Sequence, residues 1–337
     1  MILDFSKQSI KEILQEDFCE SWLKDIKLFI ENWIDESETL AVKTSGTTGK
    51  PKVLHFPKKA FSISAKMTGE FLQLKKGNSA LLCLPIDYIA GKMMVIRAII
   101  LELKLYCIEP KSEIKLTKFY DFAAITPMQA ENSIHSIQKI QKLLIGGAQI
   151  SNDLLEKLHP FSNEIFETFG MTETLSHIAM KRLNPFRVLN PERVEKNYFE
   201  ILPNITIKKD KRNCLVIKTP YFDDDILTND VVELIDNTHF IWKGRIDNVI
   251  NSGGIKLFPE EIEKKLKPFI SNDFYITSQK NTILGEELVL IIQSKDEIFN
   301  KVIFESANLS KYEIPKKIFY KNEFKYTESG KIIRELK

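Results

Sequence analysis

Between residues 40 and 170, short apolar runs alternate with stretches whose apolar residues recur at helical spacing. The runs ALLCLP, KLYCIEP, FAAITP, KLLIGGA and IFETFG have the length of buried strands, about five or six residues. Between them the pattern predicts helices over residues 57–74, opening on Pro57, over 91–103, and over 151–158 behind a Ser151 N-cap. Strands that alternate with amphipathic helices predict a mostly parallel sheet covered by helices. Ahead of it, residues 1–40 read as helix, with Ile10, Ile13, Leu14, Phe18 and Trp22 at helical spacing.

Near residue 190 the pattern changes. ITIKKD, NCLVIKTP, VVELID and HFIWKGRID follow one another with little helix between, which predicts an antiparallel β unit. Past Asp247 the expectation is a compact α+β tail: a helix over 259–270, strands at DFYITS and ELVLIIQS, and a second helix over 295–308. The expected fold class is therefore α/β and α+β. A large N-terminal domain of helix-covered sheets plus a β unit spans residues 1–245, and a small C-terminal α+β domain spans 246–337. The boundary is placed near Gly244 to Asp247.

Composition narrows the function classes. The chain has 337 residues, 43% hydrophobic and 28% charged, an ordinary soluble balance of a size that suits two domains. Its 48 lysines and arginines nearly cancel 46 aspartates and glutamates, and a net charge of +2 gives no electrostatic case for nucleic acid or an anionic membrane. Cys19, Cys83, Cys107 and Cys214 form no CxxC pair, which argues against a zinc site or a disulfide framework and predicts a cytoplasmic protein. MILDFSKQSIKEILQEDF has early acidic residues and no apolar core, so no signal peptide is expected. The greasiest stretch, MMVIRAIILELKLYCI, is broken by Arg97, Glu102 and Lys104 and is not expected to span a bilayer.

Candidate chemistry lies in the loops. TSGTTGKPK, residues 44–52, has the glycines, hydroxyls and lysines of a phosphate loop without the spacing of a Walker A motif. Gly46 and Gly49 permit a tight backbone, Thr44, Ser45, Thr47 and Thr48 offer hydroxyls, and Lys50 and Lys52 offer charge. Taken alone it reads equally as a polar surface loop. FETFGMTET, residues 166–174, places Thr172 and Glu173 just past a strand, a hydroxyl and a carboxylate suited to a phosphate and its Mg²⁺, or simply an N-capped turn. Asp230 follows in ILTNDVVEL, and Lys331 sits in YTESGKIIREL, where a lone lysine is ordinarily a solvated charge.

In order, TSGTTGKPK, FGMTET, TND, GRIDNVINSGG and ESGKIIR resemble the motifs of the acyl-adenylate-forming (AMP-binding) superfamily, which includes acyl-CoA synthetases, adenylation domains and luciferases. The resemblance runs from residue 41 to 337 and implies ATP and Mg²⁺, a small-molecule carboxylic acid, and a mobile C-terminal domain. It implies that the loop embraces the β- and γ-phosphates that leave as pyrophosphate while a carboxylate attacks the α-phosphate. Lys52 matches the lysine after the loop proline, Phe169 the aromatic against adenine, Thr172 the α-phosphate hydroxyl and Glu173 the Mg²⁺ ligand. Asp230 and Arg245 match the ribose contacts, Asp247 the interdomain hinge, and Lys331 the catalytic lysine that bridges the carboxylate and the α-phosphate.

Within that superfamily, Arg97 lies six residues after Gly91, where 2-succinylbenzoate–CoA ligases carry a basic residue for the carboxylate that is not activated. Arginine suits a carboxylate because its fork binds bidentately, although an arginine on an apolar helix also snorkels to solvent. LLIGGAQI, with Gly146 and Gly147, and GMTETLSHIA, with Ser176 as a second acid contact, resemble the same branch; His177 reads equally as a packed residue and as a ligand. The resemblance thus implies an ATP-dependent ligase of menaquinone synthesis that forms an acyl-adenylate and passes the acyl group to coenzyme A. Alternatives are a coenzyme A ligase for another aryl or short acid and a stand-alone adenylation domain that loads a carrier protein. A nucleotide-binding remnant is disfavoured by the presence of Glu173, Asp230 and Lys331. Three departures stand out: Tyr88 where a histidine is usual, Val53 where glycine is common, and Asn229 for the usual glycine, expected to be tolerated because asparagine visits the left-handed region. The chain is also shorter than is typical of the superfamily, which favours a small acid over a long fatty acid.

Overall fold

The computed structural model describes residues 1–43, 53–148, 150–184, 198–295, 299–326 and 332–334. Two compact units emerge: Met1–Ile150, Leu154–Thr206 and Ile217–Ile226 form one, and Ser151–Asp153, Ile207–Val216 and Leu227–Lys337 the other.

In chain order the first elements are β1 (Ile2–Asp4), α1 (Ile10–Ile13), α2 (Ser21–Ile34), β2 (Thr39–Lys43), β3 (Val53–Pro57), α3 (Lys58–Phe71), β4 (Ser79–Leu82) and α4 (Ile89–Ile100). There follow β5 (Lys104–Cys107), β6 (Tyr120–Ile125), α5 (Pro127–Asn132), β7 (Ile140–Ile145), α6 (Asn152–Leu158), β8 (Glu164–Gly170), β9 (His177–Arg182) and β10 (Phe199–Ile201). The strands pair in the order β1–β5–β4–β6–β7–β8–β9–β10. From β5 to β8 every pairing is parallel, as the strand–helix alternation predicts. Leu81, Ala123, Leu143 and Ile165 from four of these strands pack with Leu154 and Leu158 of α6 in one apolar cluster. The short helix α5 was not foreseen, yet its start is written locally: Thr126 caps Gln129 N–H at 3.2 Å, Gln129 returns the bond at 3.1 Å, and Pro127 opens the first turn.

The expectation of helix over residues 1–40 needs correction. Ile2–Asp4 is an edge strand antiparallel to β5, and only α1 and α2 are α-helical. Leu3 and Phe5 are buried while Ile2 is 44% exposed, a period-two alternation too short to stand out beside the helical spacing that follows.

Later in the chain come β11 (Thr206–Lys209), β12 (Cys214–Lys218), β13 (Ile226–Leu234) and β14 (His239–Arg245), with the antiparallel β13–β14 pair that the sequence predicts. They are followed by β15 (Ile250–Ser252), β16 (Ile255–Leu257), α7 (Pro259–Leu266), β17 (Phe274–Asn281), β18 (Gly285–Gln293), α8 (Ile303–Ser306) and β19 (Lys317–Lys321). A second sheet runs β16–β15–β18–β17, with β19 parallel to β18. Ile262 and Leu266 of α7 pack on Ile276, Leu288 and Leu290 of this sheet. The unforeseen β15–β16 hairpin turns on Gly253 and Gly254, both at positive φ (58° and 83°), where a Cβ would be strained. Two helices are shorter than expected. Pro268 confines α-helix to Pro259–Leu266. Of residues 295–308, α-helix covers only Ile303–Ser306 among the described residues, and Asn300 Oδ1 takes the Val302 N–H just before it. No helix among the described residues is long and apolar enough to cross a membrane.

Candidate active site

The carboxyl ends of the parallel strands carry the first group of predicted residues, as expected for an open α/β sheet. Gly146 and Gly147 follow β7 directly. A Cβ on Gly146 would overlap Thr168 Oγ1, and Gly147 has φ +89°, so both positions favour glycine. In β8, Phe169 is half-buried with its ring 5.5 Å from that of Phe199. Past Gly170 the chain makes a single 3-10 turn, Thr172–Thr174, that leaves Thr172 half-buried and Glu173 exposed.

Thr174, which the sequence did not single out, holds this turn. It is fully buried; its Oγ1 accepts the Met171 N–H at 3.0 Å and lies 2.9 and 2.8 Å from the carbonyls of Met171 and Ser176. Its own carbonyl accepts the Ser176 N–H at 2.7 Å and the Tyr221 hydroxyl at 2.8 Å. Leu175 between them has φ +67° and ψ −42°, a γ-turn that a branched side chain seldom adopts. Complete burial of the Leu175 side chain and the bonds on both sides of it hold that conformation. The donor set of one exposed carboxylate and a neighbouring hydroxyl fits Mg²⁺ carried in on a nucleotide, since Mg²⁺ takes few protein ligands when phosphates supply the rest.

Behind the turn lies a buried polar cluster. Arg97 does not snorkel: on α4, among Met93, Met94, Val95, Ile96 and Ala98, it is 2% exposed. Its Nη2 donates to Ser176 Oγ at 2.8 Å, its Nη1 lies 4.0 Å from Met94 Sδ, and its Nε has no partner. No carboxylate pairs with it among the described residues. Burial draws the guanidinium down to about 9, still protonated at neutral pH. His177 sits beside it, with Nε2 3.1 Å from Thr68 Oγ1 and Nδ1 3.5 Å from Ser176 Oγ. Burial first, and the Arg97 charge second, hold His177 well below the usual imidazole range, so it is neutral. The sequence left His177 open between a packed residue and a ligand; it is packed and hydrogen-bonded within this cluster. Nothing in the sequence signalled Thr68, which is one of many polar positions in α3. Tyr88, at the N-cap of α4, is 55% exposed, and Gly91 three residues on packs against the Pro85 carbonyl.

The second unit holds a separate cluster on β13 and β14. Asp230 faces Arg245 directly in the antiparallel register. It is 6% exposed, accepts Trp242 Nε1–H at 2.9 Å, and lies 3.9 Å from Arg245 Nη1. Arg245 Nη2 also donates to Asp247 at 3.0 Å. Asn229 is not in the left-handed region; it is an ordinary strand residue, so no special backbone freedom is needed there. Its side chain is used instead, donating to both Asp247 oxygens at 3.1 Å and accepting from Arg212 Nη1 at 3.1 Å. Arg245, Asn229 and Arg212 together hold the Asp247 carboxyl below its usual range. Trp242 and Arg212 were not foreseen, because only the strand register brings them to Asp230 and Asn229. Thr44, Ser45, Gly46, Thr47, Thr48, Gly49, Lys50, Lys52 and Lys331 lie outside the described residues.

Comparison with known proteins bears on this arrangement. Residues 32–208 match the family model described as AMP-binding enzyme. The 2-succinylbenzoate–CoA ligase of Listeria monocytogenes (serovar 1/2a) is 28% identical over 97% of this chain and 74% of its own length. Among solved structures, an acyl-CoA synthetase (AMP-forming)/AMP-acid ligase II-like protein from Dyadobacter fermentans is 32% identical with a TM-score of 0.67, covering 98% of this chain and 97% of that one. O-succinylbenzoate coenzyme A synthetase from Bacillus subtilis, in complex with ATP and magnesium ion, has a TM-score of 0.71 at 19% identity, covering 86% of this chain and 68% of that one; at that identity the likeness is one of fold.

Proposed function

The chain belongs to the AMP-binding enzyme family as an AMP-forming acyl-CoA synthetase that uses ATP and a small carboxylic acid, and from that premise we propose that it is a 2-succinylbenzoate–CoA ligase. The carrying observation is Arg97: a buried guanidinium held by a single serine hydroxyl, with no protein carboxylate against it among the described residues. A buried charge without a counter-ion costs several kcal/mol, at least on the order of 3. An acid with a second carboxylate offsets that cost when it binds, and a plain monocarboxylic acid does not. The name of the Listeria relative supports the same acid. Menaquinone synthesis in the cytoplasm is the corresponding pathway and compartment.

In the proposed reaction the activated carboxylate attacks the α-phosphorus of ATP and pyrophosphate leaves, giving acyl-AMP. The coenzyme A thiol then attacks the acyl carbon, the thioester forms, and AMP and a proton leave. Phe169 would lie against adenine, Asp230 and Arg245 would hold the ribose hydroxyls, and residues 44–52 with Lys52 would hold the departing phosphates. Thr172 would bind the α-phosphate. Glu173 would hold the Mg²⁺ that accompanies ATP and offsets phosphate charge. Lys331 would bridge the two reacting anions, and Asp247 would be the pivot between residues 1–245 and 246–337. Gly146 and Gly147 would line the acid with Arg97 and Ser176.

Pyrophosphate release over a panel of acids, with and without coenzyme A, tests this. Turnover with 2-succinylbenzoate that collapses in Arg97→Ala is the expected result. Equal turnover with benzoate or short aliphatic acids would sink the assignment of the acid, and no pyrophosphate with any acid would sink the reaction itself.

A further inference from the structure

The buried cluster behind the turn can be satisfied with all its donors running in one direction. Thr68 has one hydroxyl proton and two acceptors at 3.1 Å from its Oγ1, the Ser64 carbonyl one turn back in α3 and His177 Nε2; in this arrangement the proton goes to the carbonyl. Toward His177 Nε2, 3.1 Å away, Thr68 can then only accept. Nε2 then carries the imidazole proton, and in a neutral ring Nδ1 is bare. The same count applies at the other end. Ser176 Oγ accepts from Arg97 Nη2 at 2.8 Å, and Arg97 has no acceptor of its own to offer back. The Ser176 proton is therefore free to point at Nδ1, 3.5 Å away, a bond at the outer limit of useful length. Every donor in the row runs one way, from Arg97 through Ser176 and His177 to Thr68 and the Ser64 carbonyl.

We propose that His177 is a positioning residue of the acid site: pinned as the Nε2–H tautomer by Thr68, it turns the Ser176 hydroxyl so that its lone pair holds Arg97 in place for an incoming carboxylate. The proposal rests on the reading above that Arg97 receives the acid's second carboxylate, and it adds residues that never touch the acid. The reverse tautomer would place an Nδ1–H against Ser176 Oγ, filling its second lone pair and turning the hydroxyl proton away from the ring. The length of the Ser176–His177 bond has a use as well. A carboxylate arriving at Arg97 is a stronger acceptor than a ring nitrogen at 3.5 Å, so Ser176 gives up that bond readily and donates to the acid.

Side-chain amides separate the two ends of the imidazole. In His177→Asn the amide reaches only about as far as Nδ1 and keeps an acceptor there; His177→Gln extends to the Nε2 position and keeps the donor to Thr68; His177→Phe keeps neither. The expected result is a rise of about tenfold or more in KM for 2-succinylbenzoate in His177→Gln and His177→Phe, with KM for ATP and kcat near wild type, and recovery of most of the loss in His177→Asn. Thr68→Val, which frees the tautomer, is expected to raise the same KM by a smaller factor. On the wild-type enzyme, ¹⁵N-histidine spectra should show Nδ1 of His177 as the unprotonated nitrogen. A protonated Nδ1 overturns the proposal whatever the variants do, and so does an unchanged KM for the acid in His177→Phe while Arg97→Ala raises it. If Arg97→Ala also leaves that KM unchanged, it is the dicarboxylate reading that fails.

Discussion

Gly91 has room for nothing larger than hydrogen, because a Cβ there would overlap the Pro85 carbonyl oxygen. Backbone cannot give way as a flexible side chain does. Gly91→Ala should therefore lower stability by about 1–3 kcal/mol, read as a shift of the urea midpoint at unchanged slope. Tyr221 acts at the same scale on the turn that carries Thr172 and Glu173. Its hydroxyl is the side-chain bond to the Thr174 carbonyl, next to the positive-φ Leu175. Tyr221→Phe should lower stability by about 0.5–1.5 kcal/mol. If the strained turn relaxes as well, pyrophosphate release at saturating acid should fall by up to about tenfold, about 1.4 kcal/mol of barrier, with KM for the acid unchanged. A stability loss with full activity would show that the turn does not depend on Tyr221. Single residues differ greatly in how far the sequence betrays them. Arg97 announced itself as a charge inside an apolar stretch, and the motif resemblance supplied the use proposed for it. Its bond to Ser176 joins positions 79 apart, and no spacing rule reaches that far. Thr68, Thr174 and Tyr221 have ordinary surroundings in sequence and acquire meaning only when the sheet assembles. Asn229 was read through its backbone tolerance, whereas its side chain is what the fold uses.

Elements fared better where each carried its own signal. Of the five central strands, β4 and β6 are buried over most of both faces, as in a helix-covered parallel sheet, and short apolar runs gave all five away. The edge strand β1 and the β15–β16 hairpin are three residues each and leave no periodicity to detect. The packing of α7 against β17 hides another feature. Arg334 grips Glu263 of α7 with both nitrogens, at 2.5 and 2.8 Å, and its Nη1 donates to the Ile276 carbonyl of β17 at 2.8 Å. The Ile276 N–H donates in turn to Glu263 at 2.6 Å. Burial nevertheless outweighs these partners and pushes the Glu263 carboxyl up to about 6. A carboxyl whose folded value exceeds its unfolded value of about 4.3 favours the fold when protonated. Its contribution is complete below about pH 4.3 and is lost as pH rises through about 6. The wild-type stability minus that of Glu263→Gln should therefore decrease across that window, measured by urea unfolding at several pH values. A difference that grows with pH would mean that the Arg334 pair, not burial, sets the balance.

For the whole molecule the deciding question is how one chain performs two reactions in sequence. The first brings a carboxylate to a polyphosphate, two anions whose repulsion is part of the barrier, and a cation bridging them lowers it. The second brings a thiol to an acyl carbon, where a lysine at the α-phosphate has no reacting group to serve. The proposed division at Asp247 separates Lys331 from Arg97, Thr172 and Glu173 on the other side. Lys331→Ala should then cost adenylation about 2.7–4 kcal/mol, roughly 10²–10³ in rate, the loss typical of one preorganised donor. Thioester formation from a supplied acyl-adenylate should stay near the wild-type rate. Asp247→Pro should give a different pattern, because it fixes φ at the proposed pivot, with Asp247→Ala as the control for the bond to Arg245 that both substitutions remove. Both half-reactions, each measured in a single turnover, would remain possible only from the arrangement that the proline permits. Equal losses in the two half-reactions of Lys331→Ala would mean that the lysine serves the site throughout, and one fixed arrangement would then suffice for the entire cycle.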